Sequence, residues 1–400
     1  MNISNHIRYV GVQDRTKHRF EGQWLLPHGI SYNAYLVDGG TEIALIDTVE
    51  ADFFDVFLEK VRAELGDRKI DYLVINHMEP DHSGSIALVR KYFPGIRFVG
   101  NKKTFQMVEG FYGVSTADDV EVKEGDELRV GDITLRFHLV PMLHWPETMV
   151  TYLVDEEALF SGDAFGCFGA LNGAVVDTQM DVEPYFPEME RYYAAILGKY
   201  ASPVQQALKK LAAQPMKAIC STHGPVWTAN IPRVIETYRR LSAGETEEGV
   251  VVCYGSMYGN SQRVAEAVAE GVAEAGVRKI IVHNLSVSQP SFVLRDVFRY
   301  RGLAVGGPTY NGGLFPVVDD LLKRLAGREV SKHKLAIFGG YTWGGQAVKL
   351  IRQYNEAMKM DEVAFGADNL SALEWKQGAC ADVLAQAREL GRALGQAVKG

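Results

Sequence analysis

The first part of the chain alternates short apolar runs with polar turns. Residues 34–40 and 43–47 predict a β-hairpin, because two strand-like runs are joined by a turn rich in glycine. Residues 72–75 form a continuous apolar run, which is typical of a buried strand. Further strands are predicted at residues 135–139, 149–154 and 217–220, and helices at 53–65, 191–200 and 204–213. The pattern predicts a mixed α/β region.

After a polar stretch at residues 242–249, the spacing of the elements changes. Strands are predicted at residues 250–254, 279–283, 302–305 and 334–338, and helices at 262–275, 317–325, 346–358 and 379–398. Such alternation predicts a parallel sheet covered on both faces. We therefore predict two domains, residues 1–245 and 249–400, since 400 residues exceed what one hydrophobic core usually serves.

Composition narrows the class of protein. A formal net charge of −8 argues against nucleic acid or an anionic membrane as a partner. The sequence has no apolar stretch of the ~18 residues that a membrane helix needs, and its N-terminal residues lack the pattern of a signal peptide. Cys167, Cys220, Cys253 and Cys380 form no CxxC pair, which argues against an iron–sulfur cluster or a rubredoxin module here. We expect a cytoplasmic protein with reduced thiols.

The densest group of candidate metal ligands follows the predicted strand at residues 72–75. His77, Glu79, Asp81 and His82 fall within six residues. They are not spaced for one helix face, and Pro80 disfavours helix at Glu79, so we predict a loop that turns all four inward. Two imidazoles and two carboxylates suit first-row divalent metals and are too many for one catalytic ion with an open position. Two metals about 3.5–4 Å apart would use them all.

A two-metal site needs ligands from elsewhere in the chain. His144, Asp163 and His223 each stand at the end of a strand-like run, before a proline or a small residue that lets the backbone turn. A lone histidine after a strand is more often a capping or core residue, so His144 or His223 alone decides nothing. The dense loop is different, because burying four ionisable groups together without a metal would be costly.

The combined pattern resembles the metallo-β-lactamase fold in its flavodiiron branch. Hydrolases of that fold typically carry HxHxDH, with histidine where this chain has Glu79, and the carboxylate favours redox-active iron over zinc. The resemblance covers essentially the whole chain and implies an αββα sandwich for the first domain. It implies that one iron is held by His77, Glu79 and His144, that the second is held by Asp81, His82 and His223, and that Asp163 bridges them.

Two residues are weaker candidates for the catalytic chemistry. His28, in a Pro-His-Gly turn, and Tyr193, in the pair Tyr192–Tyr193, are candidates to lie near the irons and to supply hydrogen bonds or protons. A loop histidine and helix-core aromatics remain the equally simple interpretation.

The second region opens with the features of a phosphate site. The predicted strand at residues 250–254 is followed by a loop of small, hydroxyl and amide residues and then by a helix, so backbone N–H groups would face an anion. The chain has neither GxxxxGK followed by Ser or Thr, nor GxGxxG, which favours a monophosphate such as FMN over a nucleoside triphosphate or a dinucleotide. The loop residues expected to bind it are Ser256, Met257, Tyr258, Gly259, Asn260 and Ser261.

Two later glycine-rich loops, at residues 306–313 and 339–345, each follow a predicted strand and carry an aromatic residue. In a doubly wound sheet, ligands bind outside the carboxyl ends of the strands, where these loops would converge. Three such loops in this order resemble flavodoxin. The further residues expected to contact FMN are Pro308, Thr309, Tyr310, Asn311, Gly312, Gly313, Tyr341, Thr342, Trp343, Gly344 and Gly345.

The flavodiiron resemblance implies an enzyme that reduces dioxygen to water, nitric oxide to nitrous oxide, or both, with electrons relayed by FMN to two irons. It also implies a head-to-tail homodimer, or a dimer of such dimers, and a separate rubredoxin or a reduced deazaflavin coenzyme as electron donor. Such an enzyme would detoxify these gases in an anaerobe or microaerophile.

Two rival interpretations stay open. One is a zinc hydrolase with a flavodoxin tail, against which Glu79 argues. The other is a flavodoxin-type electron carrier whose first domain is a docking scaffold, against which the complete ligand set argues.

Overall fold

The computed structural model describes residues 1–399 and divides into two compact units, Met1–Arg239 and a unit that begins at Arg240. The strands of the first unit are β1 (Ile7–Tyr9), β2 (Val12–Asp14), β3 (Arg19–Phe20), β4 (Trp24–Leu25), β5 (Ile30–Tyr32), β6 (Tyr35–Asp38), β7 (Ile43–Ile46), β8 (Tyr72–Val74), β9 (Arg97–Gly100), β10 (Val120–Glu121), β11 (Glu127–Val130), β12 (Ile133–Leu139), β13 (Met149–Leu153), β14 (Ala158–Gly162) and β15 (Ala218–Ser221). Its helices are α1 (Phe54–Leu65), α2 (Pro80–Ser83), α3 (Ile86–Tyr92), α4 (Lys102–Tyr112), α5 (Tyr185–Tyr192) and α6 (Ala201–Leu211), and α7 (Ile231–Ser242) begins in this unit and ends three residues beyond it.

The first unit is a sandwich of two sheets, as expected. One sheet has the order β1-β6-β7-β8-β9-β10 and the other β11-β12-β13-β14-β15. The predicted hairpin is β6 and β7, which pair antiparallel. Tyr35 of β6 ties the two sheets together, because its ring lies 5.4 Å from that of Phe160 in β14 and its hydroxyl donates to the Ser221 carbonyl in β15 at 2.7 Å.

The second unit alternates strands and helices around a largely parallel sheet. Its strands are β16 (Glu247–Tyr254), β17 (Ile280–Asn284), β18 (Tyr300–Tyr310), β19 (Gly313–Leu314), β20 (Lys334–Tyr341), β21 (Asp361–Glu362) and β22 (Leu373–Lys376). Its helices are α8 (Asn260–Glu274), α9 (Pro290–Arg299), α10 (Pro316–Gly327), α11 (Ala347–Met358) and α12 (Ala381–Ala397). The sheet order is β17-β16-β18-β20, after which both β21 and β22 pair with β20, and this is the predicted flavodoxin-like arrangement.

Close contact between two helices covers one face of this sheet. Val268 of α8 and Leu390 and Leu394 of α12 belong to one buried apolar cluster. The helices approach closely at Gly391, where a Cβ atom would lie 2.0 Å from the carbonyl oxygen of Val268. Any larger residue at position 391 would therefore push α12 away from α8.

Several strands are longer than the sequence pattern predicts, and β18 and β16 change the expected loops most. β18 runs to Tyr310 and returns as β19, so the predicted loop at residues 306–313 shrinks to a turn at Asn311 and Gly312, both with positive φ. The prediction took the glycines of this segment as loop residues. Gly306 instead lies within β18, where packing requires glycine, because a Cβ atom there would lie 2.1 Å from the Phe338 carbonyl oxygen. β16 begins at Glu247, inside the predicted polar stretch, because Glu247 pairs with Tyr300 in the sheet.

Several elements were not predicted, among them α9, α4 and β9. α9 is short and begins with Pro290 in its first turn, a position at which proline is tolerated. Within residues 1–399, no helix combines the length and apolar character needed to cross a membrane.

Candidate functional site

The dense ligand motif lies partly in a loop and partly in a helical turn. His77 and Glu79 follow β8, as predicted, but the prediction of a loop is wrong for Asp81 and His82, which belong to α2. Pro80 explains both observations. It keeps Glu79 extended, with φ −60° and ψ 137°, and it stands at the start of the helix, where its missing N–H is no loss.

Four predicted ligands form the first of two adjoining groups: His77, Glu79, His144 and Asp163. The Nε2 atom of His144 lies 3.0 Å from Glu79 Oε2 and 3.2 Å from Asp163 Oδ2. The Nε2 atom of His77 lies 3.5 Å from each of the same two oxygens. These atoms surround one point in the interior.

The second group contains Asp81, His82 and His223. The Nε2 atoms of His82 and His223 lie 3.2 and 3.3 Å from Asp81 Oδ2. They lie 3.1 and 3.8 Å from Oδ1 of Asp163, whose other oxygen faces the first group. Asp163 therefore stands between the groups with one oxygen directed to each.

The donor atoms fit a pair of metal ions. Nitrogen and oxygen ligands lie about 2.0–2.2 Å from a first-row divalent metal, so neighbouring ligands of one ion lie about 3.0–3.5 Å from each other, as most of these atoms do. All seven residues are buried. His77 Nε2 and both Asp81 carboxylate oxygens have no hydrogen-bond partner in the described part of the chain, as expected for atoms that face a cation.

The electrostatics of the cluster follow from burial and close charge. Burial alone would lower the pKa of His82, but the carboxylates of Asp81 and Asp163 outweigh it and raise that pKa to about 10. Burial likewise opposes protonation of His144, whose pKa is raised to about 9 by hydrogen bonding to Asp163 and Glu79. Burial would raise the pKa of the Asp163 carboxyl, and the neighbouring histidines, above all His77, hold it well below its usual range.

Groups behind the predicted ligands fix their orientation. His77 Nδ1 lies 3.0 Å from Glu147 Oε1, which also accepts the backbone N–H of Met78 at 2.9 Å. His223 Nδ1 lies 2.7 Å from the Ser31 carbonyl oxygen, which can only accept. These contacts direct the Nε2 atoms of both rings inward. Sequence reasoning missed Glu147 and Ser31, since neither carries a local signal.

The two tyrosines of the pair at residues 192–193 have different surroundings. The ring of Tyr193 packs 5.3 Å from that of Tyr238, in a π-helical segment, Tyr193–Leu197. The ring of Tyr192 packs 5.4 Å from that of His223, and its buried hydroxyl has no partner within residues 1–399. Burial, and then the charges of Asp163 and Glu79, raise the pKa of Tyr192 well above its usual range.

His28 is exposed and lines a cavity of about 630 Å³ together with Arg15, Phe168 and Glu188. A residue that the sequence analysis did not single out, Glu21, lies in the turn between β3 and β4 with φ 49°. Its carboxylate accepts the Trp24 indole N–H at 2.8 Å. Burial, and then the charge of Glu79, raise its pKa.

A cavity of about 120 Å³ lies at the carboxyl ends of the strands in the second unit. It is lined by Ser256, Met257, Tyr258, Asn260, Ser261, Pro308, Thr309, Gly340, Tyr341, Thr342, Trp375 and Gln377. The other predicted flavin residues are not among the lining residues: Gly259, Tyr310, Asn311, Gly312, Gly313, Trp343, Gly344 and Gly345. Gly340, Trp375 and Gln377 line the cavity without having been predicted, and Trp375 and Gln377 come from a strand end that the sequence analysis did not identify.

Two protein-family profiles match separate parts of the chain. Residues 30–224 match the ODP family beta lactamase profile, and residues 252–379 match the flavodoxin profile. A nitric oxide reductase of Moorella thermoacetica is 33% identical over 367 residues, which cover 90% of this chain and 91% of the relative. An anaerobic nitric oxide reductase flavorubredoxin of Escherichia coli is 30% identical, over 98% of this chain and 81% of the relative.

Solved structures of flavodiiron proteins are similar to this chain over nearly its whole length. Rubredoxin oxygen:oxidoreductase from Desulfovibrio gigas superposes with a TM-score of 0.93 at 26% identity, covering 100% of this chain and 98% of that protein. The flavodiiron protein of Giardia intestinalis gives a TM-score of 0.92 at 28% identity, covering 99% of this chain and 96% of that protein.

Proposed function

The chain belongs to the flavodiiron proteins, and on this premise we propose that it reduces dioxygen to water, nitric oxide to nitrous oxide, or both. The reaction takes place at a two-iron centre in the first unit, and FMN in the second unit relays the electrons. One dioxygen consumes four electrons and four protons, whereas two nitric oxide molecules consume two of each to give nitrous oxide and one water.

The single observation that carries this proposal is the placement of Asp163. Its two carboxylate oxygens face separate groups of ligand atoms, Oδ2 toward His144 and Oδ1 toward His82, at 3.2 and 3.1 Å. A carboxylate placed in this way is suited to bridge two metal ions that lie side by side. Three carboxylates and four imidazoles form a harder, more anionic ligand set than a histidine-rich zinc site, which supports iron.

The ligand roles follow from these groups. His77, Glu79 and His144 would hold one iron, Asp81, His82 and His223 would hold the other, and Asp163 would be shared between them. When bound by these residues, an iron pair would supply electrons to the gas, and FMN held in the second unit would supply their replacement. The protein holds the imidazoles in one tautomer through Glu147 and Ser31 and keeps the carboxylates ionised beside the metals.

Protons must reach the irons, because both reactions consume them. Tyr192 and Glu21 are two groups next to the cluster, Tyr192 through packing against His223 and Glu21 through the charge of Glu79. We include His28 and Tyr193, the two residues predicted from the sequence, as candidates for the same role. Substitution of each by Phe or Gln, followed by measurement of the pH profile of turnover, separates a proton donor from a packing residue.

The division of labour between the domains is also part of the proposal. We assign the iron pair to residues 1–245 and FMN to residues 249–400. All seven candidate metal ligands lie in the first range, and the cavity of about 120 Å³ lies in the second.

The assembly and the electron donor are further parts of the proposal. A head-to-tail homodimer, or a dimer of such dimers, would bring the flavin of one chain to the irons of its partner. A rubredoxin is the first candidate donor, because the similar Desulfovibrio gigas protein is named for rubredoxin. A reduced deazaflavin coenzyme is the alternative, and we assign the protein to the cytoplasm.

Anaerobic reconstitution tests the activity. The chain is loaded with iron and FMN, reduced, and mixed separately with dioxygen and with nitric oxide. Turnover of at least one gas is expected, with loss of both activities in His82→Ala. Zinc as the metal of the natively purified protein would instead favour a hydrolase, and unchanged gas consumption in His82→Ala would favour a docking scaffold.

A further inference from the structure

A small cavity lies beside the metal ligands and is separate from the two cavities described above. It measures about 10 Å³, which is room for about one water-sized molecule. Leu143 and Ala164 form part of its wall, and they are the chain neighbours of the predicted ligands His144 and Asp163. Since the donor atoms of those two ligands lie 3.2 Å apart, two parts of the wall stand within one residue of the first group of metal ligands.

The wall of this cavity presents only apolar surface to the space inside. Two wall residues carry hydroxyls. The hydroxyl of Ser161 donates to the Ala164 carbonyl oxygen at 2.7 Å, and Tyr238 packs its ring 4.7 Å from that of Phe165, which also belongs to the wall. A buried water needs about two to four polar partners, whereas an apolar cavity stays dry and accepts apolar guests. The remaining wall residues are Val150, Leu159, Val204, Ala207, Leu208 and Leu211.

One side of the cavity is formed by α6. Four wall residues follow the i, i+3, i+4, i+7 spacing of one helix face: Val204, Ala207, Leu208 and Leu211. The other face of α6 is exposed to solvent at residues 205, 206, 209 and 210. Leu208 is half-buried, whereas every other wall residue is buried. One part of the wall thus approaches solvent, and another part approaches the metal ligands.

The substrates of the proposed reaction suit this space. Dioxygen and nitric oxide are small, uncharged and almost apolar, so they gain free energy by leaving water for apolar surroundings. The larger cavity at His28 has the opposite character, because Arg15, Asp181 and Glu188 belong to its wall and favour water. The metal ligands are themselves polar and ionisable. The apolar cavity is therefore the place beside the cluster at which such a gas is best held.

We propose that this cavity binds one molecule of dioxygen or nitric oxide and that it supplies the metal site with its substrate. The ligand class is a small apolar gas, and the wall residues act on access to the site rather than on the chemistry. The inference rests on the proposed function only for the identity of the gas, because binding of an apolar atom is measured without turnover.

Crystals of the full-length chain pressurised with krypton test the site itself. Krypton is an apolar atom close in size to a diatomic gas, and its anomalous scattering identifies it. We expect krypton in the cavity of the unsubstituted chain and none in Ala207→Val, because the two added methyl groups take up the space. Gln206→Val is the matched control, since it places the same β-branched residue at the neighbouring, exposed position of α6.

Steady-state kinetics test the supply of gas. For the gas that the chain turns over, Ala207→Val should raise KM about threefold or more and leave kcat within about twofold, which is the pattern of a lost binding step. Gln206→Val should match the unsubstituted chain in both constants and in iron content. If the chain turns over neither gas, the proposed function fails, and krypton in the cavity still supports a gas site. Water in the cavity of unpressurised crystals, absence of krypton from the unsubstituted chain, or an unchanged KM in Ala207→Val would overturn the inference.

Discussion

In the first unit, the predicted ligands are buried and ionisable, and they come from four separated segments between residues 77 and 223. In the second unit, all the described residues that line the flavin cavity are neutral, and the cavity lies at one edge of a single sheet. Among its lining residues, Tyr258 is 93% exposed to solvent. The metal centre therefore gathers ionisable groups in the interior, whereas the flavin cavity presents neutral groups at the edge of a sheet.

The largest expected effect comes from Asp163, on which both metal positions depend. Asp163→Asn should lower the iron content from two per chain to one or less and reduce turnover by about 1,000-fold or more, because a neutral amide cannot bridge two cations. Flavin content should not change. Iron is measured by elemental analysis and turnover with a gas electrode. Asp177→Asn is the control, since Asp177 is a buried, hydrogen-bonded carboxylate elsewhere in the same unit. Two irons per chain in Asp163→Asn would contradict the bridge.

The second expected effect is a difference in pH dependence. Metal binding requires neutral imidazoles, and in the metal-free chain the pKa values of His82 and His144 are raised to about 10 and about 9. Protons must therefore leave as the metal binds, so affinity should rise with pH until it passes these values, by up to about 100-fold per pH unit for two protons. Mn²⁺ titration by calorimetry between pH 7 and 9 measures this.

FMN should behave differently over the same range. None of the side chains that line its cavity in the described structure is acidic, basic or a histidine, and the phosphate is already largely dianionic above its second pKa of about 6. Its affinity should change by less than about twofold between pH 7.5 and 9. If the affinities for Mn²⁺ and for FMN changed equally with pH, the predicted electrostatic difference between the metal site and the flavin site would be contradicted.

A smaller effect is expected from the support behind the ligands. Glu147→Gln should weaken metal binding about 10-fold to 100-fold, because the amide no longer holds the His77 ring as a carboxylate does. The matched control is Glu124→Gln, which changes the partner of His138 at the same distance of 3.0 Å, away from the cluster. Competition with a coloured chelator gives both affinities, and equal values for the two variants would exclude this role of Glu147.

The smallest expected effect concerns stability. Chelation of the metals should lower the melting temperature of the first unit by several degrees, because ions that bind only the folded ligand cluster stabilise the folded state. Removal of FMN should lower the melting temperature of the second unit by a smaller amount than chelation lowers that of the first unit. Calorimetry of the full chain in each of the four loading states measures both transitions, and a larger shift on FMN removal would reverse the comparison.

The sequence predicts the candidate metal ligands. It predicts few of the residues that hold those ligands in place. The seven clustered residues are predictable because few residue types can bind a metal, and histidine, aspartate and glutamate at strand ends stand out in the sequence. Glu147 and the Ser31 carbonyl are not, because they meet His77 and His223 only after folding. Trp375 was missed for the same reason, since it reaches the cavity through a strand that pairs with β20 across 35 residues.

Glycine caused the main errors in the fold. Gly306 was interpreted as part of a loop, yet it lies within β18 where the neighbouring strand leaves no room for a Cβ atom. Pro80 had the opposite effect, because it correctly kept Glu79 out of a helix while starting the helical turn that carries Asp81 and His82. Local patterns thus indicate where the chain can turn, and packing decides whether it does.

Mössbauer spectroscopy of the chain loaded with ⁵⁷Fe under anaerobic conditions and then oxidised tests the central claim most directly. Because one carboxylate faces both groups of ligands, we predict two irons per chain that behave as a single spin-coupled pair with a diamagnetic ground state. One iron per chain, or two irons that are magnetically independent, would contradict the account.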